Sequence, residues 1–138
     1  MKMSIPVKII ALLLLTTAFL IIDKPLAKAT AVHNGLRILT KEGVASYYSY
    51  ECARLPMANG KPFDPEKRTC ASWFYKFGTR LAVRSLDTGR STEVVVTDRG
   101  PNKRLVREGR IIDLSKRAFQ DICGLDKGLT RVVIAVKK

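Results

Sequence analysis

The stretch RLAVRSLDTGRSTEVVVTDRGP, residues 80–101, decides the fold. Leu81 and Val83 alternate with Arg80 and Arg84. Asp87-Thr88-Gly89 then offers a tight turn, and Thr92, Val94 and Val96 resume the alternation as far as Thr97. Alternation at period two on both sides of a glycine-bearing turn predicts a β-hairpin with one buried face. Asp98-Arg99-Gly100-Pro101 ends its second strand, because glycine and proline together break a ladder, and leaves a carboxylate where the chain turns.

Toward the C-terminus, Arg110–Asp113 is a short apolar step flanked by charge. Ser115 suits a helix N-cap, Ala118, Phe119, Ile122 and Cys123 follow at helical spacing, and Gly124 is a stop. Leu129–Val136 reads as a last strand with Val132, Ile134 and Val136 on one face. Toward the N-terminus, Gly43–Tyr48 is β-prone, whereas 49–68 holds three prolines and Asn59-Gly60 and predicts an extended loop with turns. Short strands with one helix suggest a closed or nearly closed barrel, which leaves no exposed sheet edge in so small a domain.

The remaining residues bound the class of protein. Lys2 and Lys8 precede an apolar run from Ile9 to Ile22, and Ala27 and Ala29 supply an A-x-A pattern, the grammar of an export signal at 1–29. The run falls short of the ~20 residues a spanning helix needs, so a retained anchor is the lesser reading, and no cysteine stands near for acylation. Residues 30–42 mix apolar and charged positions as a linker, and 43–138 form one domain. Of the formal charge of +13, Lys2, Lys8, Lys24 and Lys28 against Asp23 carry +3, which leaves +10 after cleavage. Such a charge draws polyanions; export sets nucleic acid aside and points to an anionic wall polymer, with solubility as the plain alternative.

Cys52, Cys70 and Cys123 are odd in number and allow three pairings. Closing the loop between Cys52 and Cys70 would contribute ~3 kcal/mol in the chain-entropy model, and Cys123 lies on the apolar side of the expected helix, so Cys52–Cys70 is the expected bond. His33 is the single histidine and no C-x-x-C spacing occurs, so neither a metal nor another cofactor is expected.

Read in order, Gly43-Val44-Ala45-Ser46-Tyr47-Tyr48, Ala58-Asn59-Gly60, Phe77-Gly78-Thr79, Asp98-Arg99-Gly100-Pro101 and Ile112-Asp113-Leu114-Ser115 resemble the signature blocks of the rare lipoprotein A family, over roughly 43 to 136. The resemblance implies a mainly β, six-stranded double-psi β-barrel with one or two short helices. It also implies an extracytoplasmic lytic transglycosylase acting on peptidoglycan glycan strands, with cell-division proteins as further partners. Members of this family usually carry Glu after A-N-G and His before F-G-T, where this chain has Lys61 and Ser72. A non-catalytic glycan-binding module, or a secreted effector or inhibitor presenting loops to a protein, are the rival readings.

Cleaving a glycosidic bond requires a carboxylic acid that retains its proton, and hydrolases add a second carboxylate. Asp98 is the first candidate acid, since it matches the family's aspartate at a strand end. Asp64, alongside Glu66 in the loop, is a substitute carboxylate, and Asp113 is a weaker candidate that could instead cap the helix or pair with Arg110. Tyr48 and Trp73 are expected as exposed faces for sugar stacking, while Phe74 and Phe77 read as core. Asn59, Lys61, Ser72, Arg99 and Arg110 complete the expected substrate contacts.

Overall fold

The computed structural model describes residues 40–138, together with the backbone at 32–33 and 36–37. The expected export signal, most of the expected linker and the His33 side chain lie outside the described residues. Val32–His33 (β1) and Leu36–Arg37 (β2) pair antiparallel. Six strands then close a barrel: β3 (Thr40–Tyr47), β4 (Thr69–Ala71), β5 (Arg80–Ser85), β6 (Ser91–Asp98), β7 (Arg110–Leu114) and β8 (Thr130–Val136), in the order β3-β7-β4-β6-β5-β8. The pairs β3/β7 and β4/β6 are parallel; the other four are antiparallel.

The period-two residues of the hairpin fill the barrel. Leu81, Val83, Val94 and Val96 are buried with Ile112, Leu114, Val132 and Ile134, while Val136 at the end of β8 stays exposed. The turn forms where expected: Gly89 N–H donates to the Ser85 carbonyl at 2.9 Å, and Gly89 takes a positive φ. Gly43 is required for another reason, close approach. A Cβ there would stand 2.6 Å from Ile111 Cγ2 and 2.8 Å from the Gly109 carbonyl oxygen, so β3 and β7 meet only over a bare backbone.

Two helices flank the barrel, α1 (Lys103–Arg107) and α2 (Lys116–Ile122). Ser115 caps α2 as expected, its Oγ accepting from Ala118 N–H at 3.3 Å, so Asp113 is not the cap. Phe119 and Ile122 of α2 are fully buried, and Tyr47 packs on Phe119 with ring centroids 4.8 Å apart. All three cysteines are free thiols, so the expected Cys52–Cys70 bond is not formed in this structure. The reason is position: Cys70 points into the barrel core from β4, whereas Cys52 closes a surface 3-10 turn at Tyr50–Cys52. Burial, followed by the nearby Asp113, raises the Cys70 thiol far above its ordinary range, which leaves it protonated and inert.

Candidate active site

Strand register brings two aspartates to one row. Ser46 on β3 pairs with Asp113 on β7, Asp113 pairs with Ala71 on β4, and Ala71 pairs with Asp98 on β6. At ~4.8 Å between neighbouring strands, the two aspartate Cα atoms stand about 10 Å apart, with only a methyl group between them. Directly over that methyl lies Gly100. A Cβ on Gly100 would stand 3.1 Å from Ala71 Cβ, 3.3 Å from Asp113 Oδ2 and 3.7 Å from the Tyr48 hydroxyl. A residue without a Cβ is therefore what fits against Ala71, Asp113 and Tyr48.

The two carboxylates have opposite surroundings. Three donors converge on Asp98: the Tyr48 hydroxyl reaches Oδ2 at 3.0 Å, and the N–H groups of Ala58 and Arg99 each reach Oδ1 at 2.8 Å. A carboxylate so surrounded acts as an acceptor held in place from both oxygens. Tyr48 stays a neutral donor, because burial and then the adjacent Asp98 raise its phenol far above the ordinary range.

Asp113 is more enclosed. Burial raises its carboxyl above the usual range; the Ser46 hydroxyl, which donates to Oδ1, and the Arg110 charge pull the other way, and Asp98 raises it further. Oδ2 of Asp113 makes no hydrogen bond among the described residues. A proton held on that oxygen can be given to a bound ligand.

The other candidates divide. Asp64 accepts from Glu66 N–H at 3.0 Å and lies 3.8 Å from Lys67 Nζ, so it serves its own loop, and Glu66 accepts from the Tyr50 hydroxyl instead. Asn59 Oδ1 accepts from Lys61 N–H at 3.0 Å within the A-N-G turn, which carries Ala58 to Asp98 and leaves the Lys61 side chain exposed. Ser72 is fully buried, its Oγ donating to the Ile111 carbonyl at 3.4 Å, which withdraws it from any ligand. Arg99 spends Nη1 on the carbonyls of Ser72 and Tyr75 at 2.7 and 2.9 Å and covers the Phe77 ring at 3.8 Å, so it straps the loop rather than reaching outward.

Among the aromatics, Tyr48 is not an exposed stacker: half-buried, it packs on Phe63 and holds Asp98. Trp73 is exposed, and its Nε1 donates to the Pro101 carbonyl at 2.6 Å. Phe74 and Phe77 are not core either. At 42% and 41% exposure they lie on the surface after β4, where Lys41 and Arg99 cover their faces. Sequence reading missed Ser46 and Gly100, although Ser46 shares a strand face with Tyr48 at period two.

Comparisons with known proteins bear on the family and the fold. The model of the lytic transglycolase family matches residues 40–134. A Nostoc protein named probable endolytic peptidoglycan transglycosylase RlpA is 39% identical over 100 residues, covering 71% of this chain and 26% of its own length. The Vibrio cholerae protein named endolytic peptidoglycan transglycosylase RlpA is 35% identical over 97 residues, covering 70% of this chain and 35% of its own. The chain thus spans about a quarter to a third of these relatives. Among solved structures, a Clavibacter michiganensis expansin aligns with a TM-score of 0.56 at 21% identity, over 72% of this chain and 50% of its own. A Streptomyces papain inhibitor aligns at 0.55 and 24% identity, over 72% of this chain and 94% of its own. These two likenesses bear on the fold alone.

Proposed function

The chain belongs to the lytic transglycolase family of double-psi β-barrels, and from that membership we propose that it is an exported enzyme that cleaves the glycan strands of peptidoglycan. The observation that carries the reading is the Asp113–Asp98 pair, one carboxyl raised by burial with a free Oδ2 and the other fixed by three donors. The roles of the sequence candidates are thereby exchanged: Asp113 is the acid and Asp98 the anion.

In this mechanism Asp113 gives its proton to the glycosidic oxygen as the bond from that oxygen to C1 breaks. Positive charge develops on the sugar ring and is stabilised by Asp98. The 6-hydroxyl of the same sugar then bonds to C1 and passes its proton back to the Asp113 carboxylate, giving a 1,6-anhydro end and restoring the acid. One proton-carrying group suffices, and this accommodates Lys61 and Ser72 where relatives have Glu and His. The export signal at 1–29 supports a secreted or periplasmic location.

The test is mass spectrometry of fragments released from purified sacculi, with and without stem peptides. Anhydro-ended products from the wild type that are lost in both Asp113→Asn and Asp98→Asn are expected. Binding to sacculi without any fragment would replace the enzyme with a glycan-binding module, the reading that Lys61 and Ser72 favour. Failure to bind sacculi at all would favour an effector or inhibitor.

A further inference from the structure

We propose that Ser46 is a positioning residue of this site: its hydroxyl holds the Asp113 carboxyl so that Oδ2, and not Oδ1, carries the proton that reaches the ligand. The inference rests on the cleavage reaction proposed for the aspartate pair. Ser46 lies opposite Asp113 only because of an irregularity in the ladder. Val44 pairs with Arg110 and Ala45 with Ile112, so Ile111 is an extra residue on β7. An uninterrupted parallel ladder from Val44 and Arg110 would set Tyr47, and not Ser46, against Asp113. The extra residue is accommodated at Gly43, where a Cβ would stand 2.6 Å from Ile111 Cγ2. Bulge and glycine together deliver a hydroxyl to the carboxyl.

That hydroxyl is buried, and among the described residues its one hydrogen bond is the one it donates to Asp113 Oδ1. Oδ1 is thereby turned to β3, while Oδ2 faces the turn after β6, where a Cβ on Gly100 would stand 3.3 Å away. A neutral carboxyl that keeps the Ser46 bond on Oδ1 has Oδ2 left for its own proton. Without the hydroxyl the two oxygens compete, and a proton on Oδ1 is directed at β3, away from Gly100 and Asp98. The bond also favours the ionised form, so Ser46 makes Asp113 a stronger acid against the burial that weakens it. The charged and titratable groups facing Asp113 offer no substitute donor. Asp98 on β6 is an acceptor, Arg110 on β7 acts through its charge, and the buried Cys70 thiol on β4 meets Asp113 only as a charge. The Tyr48 hydroxyl, just beyond β3, is spent on Asp98.

The experiment follows the Asp113 carboxyl by carbon-13 NMR through a pH titration, with its resonance assigned by comparison with Asp113→Asn. Wild type, Ser46→Ala, Ser46→Cys and Ser46→Thr are compared. The midpoint should rise in Ser46→Ala, rise less in Ser46→Cys, which keeps a weak donor, and stay with the wild type in Ser46→Thr, which keeps the hydroxyl. Release of anhydro-ended fragments from soluble peptidoglycan strands is measured alongside. In Ser46→Ala kcat should fall about tenfold, the effect of one hydrogen bond to a charged group, with KM unchanged. The alkaline limb of its pH profile should move to higher pH together with the carboxyl midpoint, and Ser46→Thr should restore both. An unchanged midpoint in Ser46→Ala overturns the inference, as does a Ser46→Thr variant that behaves like Ser46→Ala. A fall in kcat without movement of the alkaline limb overturns it too, since Ser46 would then serve packing alone. If Ser46→Ala does not fold, Ser46→Cys against Ser46→Thr carries the same comparison. Wild type that releases no fragments overturns the cleavage reaction, while the midpoints still decide whether Ser46 governs the Asp113 proton.

Discussion

A buried carboxyl is driven toward its neutral form by what surrounds it, and Asp113 is such a group. Burial raises its pKa, so the folded state binds the proton more tightly than the unfolded chain does. Stability from this group is therefore fully present below the ordinary carboxyl range and is lost as pH rises through the raised value. Asp113→Asn should lower cleavage by about 10²–10⁴-fold yet raise the melting temperature at neutral pH, an advantage that shrinks on acidification. A variant less stable than the wild type at pH 7 would contradict the burial account. Tyr48→Phe keeps the contact with Phe63 but deletes one donor to Asp98, and should cost about 1 kcal/mol of stability with a larger fall in rate. A rate unchanged within twofold would remove Asp98 from the chemistry. At this scale the sequence showed Asp98, because a strand-ending D-R-G-P leaves its carboxylate at a turn. The exchange of roles proposed for Asp98 and Asp113 was not legible, since it depends on Ser46, Tyr48 and Gly100 converging from β3 and the β6 end, contacts between residues far apart in the chain.

Elements were legible in proportion to their periodicity. The β5–β6 hairpin, α2 with its Ser115 cap and β8 all announce themselves through an apolar face. β4 does not, because three residues, Thr69–Ala71, are too few to alternate. α1 reads Lys-Arg-Leu-Val-Arg, without an apolar stripe, and is set by the Asn102 side chain accepting from Arg104 N–H at 3.0 Å. The surface placement of Phe74 and Phe77 follows from β4 ending at Ala71, so a reader who cannot see β4 assigns their rings to the core. Ser115→Ala should cost about 1 kcal/mol through loss of the α2 cap. Gly43→Val should cost more, about 1–3 kcal/mol, since Ile111 and the Gly109 backbone would have to separate β3 from β7. Both can be read from urea midpoints, and Gly43→Val as stable as Ser115→Ala would show that the β3/β7 approach is not rigid.

For the whole molecule, acid and base act on different groups. Asp87 lies below its ordinary range, held first by the backbone N–H of Arg131 and then by the Arg131 and Thr130 side chains. Glu93 is lowered by Lys137 first and Arg80 after. For Asp121 burial would raise the carboxyl, but bonds from Arg68 and Thr92 and the nearby Arg117 outweigh it. Groups with lowered pKa contribute stability above the unfolded carboxyl value and lose it as pH falls through the folded one, the reverse of Asp113. Melting temperature against pH should therefore drop on the acid side, where these three acids are protonated and the net positive charge of an already basic chain rises further. It should also sag on the side above the ordinary carboxyl range, where Asp113 ionises inside the site. The two limbs separate by substitution. Asp113→Asn should flatten the upper limb and leave the acid limb in place, whereas Glu93→Gln should weaken the acid limb and leave the upper one. If Asp113→Asn shifts both limbs together, net charge and not the buried carboxyl governs the profile, and the assignment of Asp113 as the proton-holding acid loses its physical basis.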